Sequence, residues 1–183
     1  MDRSCIACGG YGDSAAERHF WPVLKGMDIV MTGYAGDTGS AILARRFERQ
    51  LGERLTREFL QSVQRFHPQD PPEAGTFITP IGEGGVFAAL WRLAEAASVG
   101  MTIQLPEIPI CQGTIEICEL LDITPYQLLS GGFLYIAEHG RGLPGKVIGS
   151  TNATKNRIVQ GWEGTRYLTK PQPDELERIG GES

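Results

Sequence analysis

Val86, Leu90, Leu93, Ala94 and Ala97 recur at helical spacing and form one apolar stripe, which predicts an amphipathic helix able to pack on a sheet. Ahead of it, Thr76-Phe77-Ile78-Thr79 is a short β-prone run stopped by Pro80. The two are joined by Ile81-Gly82-Glu83-Gly84-Gly85, a glycine-rich turn carrying one carboxylate. Strand, glycine turn and helix together leave backbone N–H groups free at a helix N-terminus, where an anion can be held. A tight connection in which glycine only relieves strain produces the same pattern, so both readings stand.

The rest of the chain follows a similar alternation. Asp28 to Thr32 reads as a strand and leads into the loop Gly33-Tyr34-Ala35-Gly36-Asp37-Thr38-Gly39-Ser40. Thr38 and Ser40 are competent N-caps for a helix running through Ile42, Leu43, Arg46 and Phe47. Gly52 breaks that helix, and a second segment spans about Leu55 to Phe66. The loop offers backbone donors and two hydroxyls to an anion, yet no Lys follows the glycines as a P-loop requires, and Asp37 opposes a phosphate. His67 to Glu73 is a proline-rich loop. Met101 to Leu105 predicts a strand, Gly113 to Leu121 a helix, and Phe133 to Ala137 a strand buried on both faces. Lys146 to Gly149 reads as a further strand. Arg157 to Gln160 and Arg166 to Leu168 predict a closing hairpin around Gly161–Gly164, and Lys170 to Ser183 trails off polar.

The order of these motifs resembles the C-terminal domain of the AIR synthase-related superfamily, which includes aminoimidazole ribonucleotide synthase, selenophosphate synthetase, thiamine-monophosphate kinase and HypE-type hydrogenase maturation factors. The similarity is carried by Gly36 to Ala44, the Glu83-Gly84-Gly85 turn with its helix, Ile117-Cys118-Glu119-Leu120-Leu121 with Pro125, and Leu129-Ser130-Gly131-Gly132. It looks most like the HypE-type branch. It divides the chain into a non-family segment 1–24, a domain over 25–176 and a polar tail 177–183. The fold it implies is α/β: a mixed or mostly antiparallel sheet of four to six strands flanked by helices, with partly ferredoxin-like topology.

Several departures shape the functional reading. The superfamily's central turn usually reads His/Asn-Asp-x-Ser/Thr-Asp/Glu-Gly-Gly. Here Pro80 replaces its first acid and Gly82 its hydroxyl residue, and Gly131 stands where another polar residue is usual. Proline can neither act as a base nor hold a metal. Glu83 is the best remaining candidate for substrate contact or catalysis. The ligand-binding candidates are Gly36, Asp37, Thr38, Gly39, Ser40, Glu83, Gly84, Gly85 and Ser130. Members of the superfamily carry an ATP-binding domain ahead of this one, so Mg-ATP is expected only with a partner that supplies it. The HypE-type factor uses a cysteine close to its C-terminus, and no cysteine lies beyond Cys118 here. The chain therefore reads as non-catalytic alone. It is expected to bind a small phosphorylated or anionic ligand, or to pair with a separately encoded ATP-binding half or a second copy of itself. A split ATP-dependent enzyme and a pure interaction module are the alternatives. Relatives also insert a helix where His139 to Gly145 makes a tight loop. One sheet face should therefore lack a covering helix, leaving it to Phe20-Trp21-Pro22-Val23-Leu24 or to another chain.

At 183 residues the chain is long enough to bury a core, and its apolar fraction of 41% is ordinary for a globular domain. A formal charge of −5 gives no electrostatic basis for a nucleic-acid or anionic-membrane partner. No run approaches the roughly 18 apolar residues of a membrane span, so a cytoplasmic setting is the default. Cys5 and Cys8 form a CxxC, either half of a zinc site or a redox pair. Cys111 and Cys118 provide no second CxxC, so no metal is expected beyond that weak candidate.

Overall fold

The computed structural model describes residues 25–65 and 69–180. Cys5, Cys8, His19, the Phe20–Leu24 clump and His67 lie outside the described residues. Seven strands form one mixed sheet: β1 (Asp28–Met31), β2 (Thr76–Gly82), β3 (Gly100–Gln104), β4 (Ser130–Ala137), β5 (Lys146–Asn152), β6 (Arg157–Gly161) and β7 (Gly164–Tyr167), in the order β2-β4-β1-β5-β3-β6-β7. All neighbours are antiparallel except β3 and β6, which are parallel. The helices are α1 (Asp37–Arg46), α2 (Glu48–Leu51), α3 (Arg57–Val63), α4 (Gly85–Ala97), α5 (Gln112–Leu121) and α6 (Glu175–Gly180).

Seven strands exceed the four to six expected, because every stretch read as a strand, the closing hairpin β6–β7 included, joins the one sheet, and two of those strands run longer than expected. β2 runs through Pro80, which the ladder tolerates since β2 is an edge strand. β4 begins at Ser130, so Ser130-Gly131-Gly132 opens a strand rather than forming only a turn. The stretch expected to trail off polar instead carries α6, whose Leu176 and Ile179 pack against Leu43, Leu60, Ile117 and Leu128.

Period-two alternation sends Ile29 and Met31 of β1, Leu134 and Ile136 of β4, and Met101 and Ile103 of β3 into one core. There they meet Val86, Leu90, Leu93 and Ala94 of the predicted α4 stripe together with Ala89, while Ala97 is only partly buried. A second cluster joins Leu43 and Ala44 of α1, Leu60 of α3, and Ile117 and Cys118 of α5 around Leu128. Burial pushes the Cys118 thiol up to about 12, with the charge of Glu175 adding to the shift, so it packs as a small hydrophobe. Among the described residues no helix is long and apolar enough to cross a membrane.

The opposite sheet face carries a smaller cluster, Val30, Tyr135 and Ala137 with Leu143 from the loop after β4. Residues 138–145 connect β4 to β5 without a helix, and the Tyr135 hydroxyl donates to the Pro144 carbonyl to fasten that loop. On the same face the carboxylate of Asp28, 7% exposed, lies 2.8 Å from His139 Nδ1 and accepts the Gly140 N–H. The hydrogen bond to Asp28, reinforced by that carboxylate's charge, raises the His139 pKa. A raised folded value stabilises the protein fully below the unfolded pKa, about 6.5, and the stabilisation fades as pH rises through the folded value. An NMR titration should therefore place His139 above an unpaired histidine, and Asp28→Asn should bring its midpoint down. An unchanged midpoint in that variant would contradict the pairing.

Candidate functional site

β1 and β2 both run antiparallel to β4, one on each side of it. Their C-terminal ends therefore emerge at the edge where β4 starts, and each passes through a glycine turn into a helix. Gly36 (φ 70°, ψ 7°) precedes α1 and Gly84 (φ 73°, ψ 4°) precedes α4, the same left-handed geometry twice. Neither helix has a side-chain N-cap, so Thr38 and Ser40 lie inside α1 rather than capping it. A Cβ on Gly85 would come within 2.6 Å of the Tyr126 carbonyl oxygen and 2.8 Å of that of Leu128. Glycine is needed there because backbone packs on backbone.

The segment Leu128–Gly131 sits between the two turns and is bonded to both. Ser130 Oγ accepts the Gly36 N–H at 2.7 Å and donates to the Leu128 carbonyl. Asp37 Oδ1 accepts the N–H groups of Thr38 (2.6 Å) and Gly131 (2.7 Å), and the Thr38 hydroxyl (3.1 Å). The Gly39 N–H donates to the Leu129 carbonyl at 2.8 Å. The structure thus brings Gly36, Asp37, Thr38, Gly39 and Ser130 together, but the N–H groups of Gly36, Thr38, Gly39 and Gly131 already have internal acceptors. Gly84 is likewise engaged, and Glu83 stands exposed beside it.

Gly84 is engaged by Asp174, a residue the sequence reading left in the polar stretch. Asp174 is 5% exposed; its Oδ2 accepts from Gly84 N–H (2.7 Å), and its Oδ1 from Leu129 (3.2 Å) and Leu176 (2.9 Å). It caps α6 and clamps the α4 turn to the start of β4 in one contact. The sequence held a signal for this: Asp174 is followed three residues later by Glu177, with Leu176 and Ile179 behind, the pattern of a capped helix start. Its neighbour Glu175, also buried, accepts the Thr124 N–H and pairs with Arg178.

Beside the α1 turn lies a cleft of about 240 Å³ lined by Tyr34, Asp37, Ser40, Ser62, Arg65 and Cys111, and also by Thr114. Ser40 and Thr114, each 1% exposed, face one another with their hydroxyl oxygens 2.9 Å apart. Burial raises the Cys111 pKa, and Asp37 adds to the shift, so the thiol stays protonated and is a poor nucleophile. Glu83, Gly84 and Gly85 do not line this cleft. Among the described residues no group of three or more His, Cys, Asp or Glu side chains is placed to hold a metal ion.

No family model matches the chain. It is similar to a putative hydrogenase expression/formation protein of Methanocaldococcus jannaschii, 26% identical over 86% of this chain and 52% of that protein. Its structure resembles HypE of E. coli, a hydrogenase maturation protein, at TM-score 0.62 and 22% identity, covering 86% of this chain and 53% of the other. A HypE structure in complex with ATP matches at TM-score 0.61 and 16% identity, over 85% and 53% of the two chains. Thiamine monophosphate kinase of Aquifex aeolicus matches at 0.57 and 18%, over 83% and 54%. The fold is therefore the one that HypE and thiamine monophosphate kinase share, and the chain spans about half the length of the relatives it matches.

Removing the Asp174 carboxylate leaves three backbone N–H groups without their acceptor. Asp174→Ala should cost about 2–3 kcal/mol in urea unfolding, and Asp174→Asn less. Amide exchange at Gly84 and Leu129 should accelerate in the alanine variant. Unchanged unfolding and unchanged exchange would show that Asp174 does not clamp the turn.

Proposed function

We propose that the chain is a HypE-like binding domain: it holds a small polar ligand in the cleft between α1, α3 and α5, and completes no reaction alone. What supports this is where polar groups still converge. Asp37, Ser40, Thr114 and Cys111 meet in one cleft, whereas Pro80, Gly82 and Gly131 leave the turns without the polar side chains usual in the superfamily. The relative's description as a hydrogenase expression/formation protein, and HypE's as a maturation protein, support a hydrogenase-maturation setting for this binding.

A second reading is favoured by Glu83, which stands exposed at the sheet end beside the α4 turn. HypE is known in complex with ATP and in complex with HypF. A nucleotide-binding partner seated at that end would make this chain one half of a split ATP-dependent enzyme, with Glu83 as the group nearest the reacting atoms.

Calorimetry and amide chemical shifts separate the two. The chain alone should show no Mg-ATP binding. Fragments from a small polar library should shift the Asp37, Ser40, Gly113 and Thr114 amides, and Asp37→Asn should weaken them about tenfold. Mg-ATP bound by the chain alone, with shifts at Gly84 and Gly85, would contradict the binding-domain reading and support the enzymatic one.

A further inference from the structure

The cleft that carries the proposed function also has a direction, which follows from counting its protons. A hydroxyl has one proton to give and two lone pairs to accept with. Ser40 donates its proton to the Asp37 carbonyl at 3.0 Å. The 2.9 Å contact between Ser40 and Thr114 must therefore use the proton of Thr114. Ser62 donates to the Phe59 carbonyl at 2.6 Å, and Thr38 donates to Asp37 Oδ1. Each of these hydroxyls has spent its proton on the protein. At its buried end the cleft still offers accepting capacity, the lone pairs of Thr114 and Asp37 Oδ2, for which no donor is present among the described residues, while the lining's remaining neutral donor groups, the Tyr34 hydroxyl and the Gln69 amide, belong to exposed residues at the mouth beside Arg65.

Charge points the same way. The Cys111 thiol is neutral, so Asp37 gives the inner part of the cleft a net negative charge. Positive charge sits among the lining only at Arg65, whose side chain is exposed. A phosphate or carboxylate placed against Asp37 would meet a repelling charge and two buried hydroxyls, Ser40 and Thr114, whose protons are already committed, which is the reverse of an anion cradle. A divalent cation is also a poor match. Asp37 is the single carboxylate in the lining, and among the described residues no group of three metal-ligating side chains is assembled.

We propose that the cleft takes the primary ammonium group of a small amine, accepted by Asp37 Oδ2 and the Thr114 hydroxyl oxygen, with an acidic end of the same ligand directed toward Arg65. An ammonium carries three donors and no acceptor, so it fits a wall of acceptors around one carboxylate. The ligand class is a zwitterion or amino acid of short chain. This rests on the cleft being the ligand site, and it reverses the anionic class that the glycine turns imply in the sequence.

The probes are 5-aminopentanoate, pentylamine and pentanoate, titrated into the full chain at pH 7 while the Ser40, Gly113 and Thr114 amides are followed by NMR. Both amines should shift these amides, and pentanoate should leave them in place. Arg65→Ala lies at the surface and should reduce 5-aminopentanoate to the affinity of pentylamine. Asp37→Asn should weaken both amines about tenfold. Because Asp37 also holds the Gly131 N–H, Thr114→Val provides a second variant that removes an acceptor without touching the turn, and it should weaken both amines about fivefold. Pentanoate binding as well as the amines, or unchanged amine affinity in folded Thr114→Val, would overturn the ammonium assignment while leaving the cleft as a ligand site. Failure of every fragment and every probe to shift the cleft amides would instead overturn the binding reading itself.

Discussion

Everything at the end of the sheet where β4 starts depends on one peptide segment, Leu128–Gly131, being gripped from both sides. Gly36 and Gly39 on the α1 side reach it through the Ser130 hydroxyl and the Leu129 carbonyl, and Asp37 takes the Gly131 N–H. On the α4 side, Asp174 joins Leu129 to Gly84, and the Gly85 backbone packs directly on Leu128. Two helix N-termini, each with its positive dipole end toward the same segment, would ordinarily call for an external anion. The chain supplies its own: Asp37 for one and Asp174 for the other. Both carboxylates are tied to backbone N–H groups, the arrangement in which an ionised acid is most favourably held inside a protein.

This self-sufficiency changes what the glycine turns mean. In sequence they look like anion cradles, and the resemblance to ATP-using proteins strengthens that impression. In three dimensions they are fastenings that fix the start of β4, and the free polar capacity is displaced sideways into the cleft between α1, α3 and α5. There the floor accepts rather than donates, because Ser40 and Thr114 spend their protons on the protein. The proposed change from anion site to acceptor-lined cleft follows from where the protons go rather than from which residue types are present.

The fold was largely legible in the chain. The stripe Val86–Leu90–Leu93–Ala94 announces α4, the β-branched run at Asp28–Met31 announces β1, and the hairpin around Gly161–Gly164 forms where its turn residues stand. What escaped were strand ends whose local signal contradicts their pairing. Pro80 stands within β2 because an edge strand needs no donor there, and the glycines of Ser130–Gly132 join β4 because its neighbours hold them. The site was legible in membership but not in arrangement. Asp37 and Ser130 were identified by type, yet their link to Gly36 and Gly131 crosses 94 residues of sequence. Asp174 was missed although its capping pattern was present, because a short acidic run near Gly180 and Gly181 reads as solvated tail.

The central claim is that the α1 turn at this end of the sheet is internally satisfied rather than waiting for a ligand. Native-state hydrogen exchange of the Gly36, Gly39 and Gly131 amides tests it most directly. Committed donors should exchange only through opening of the α1–β4 junction, with protection approaching that of core amides such as Ile136. Exchange at these three glycines as fast as in an exposed loop would contradict the account and restore that turn as an open anion site.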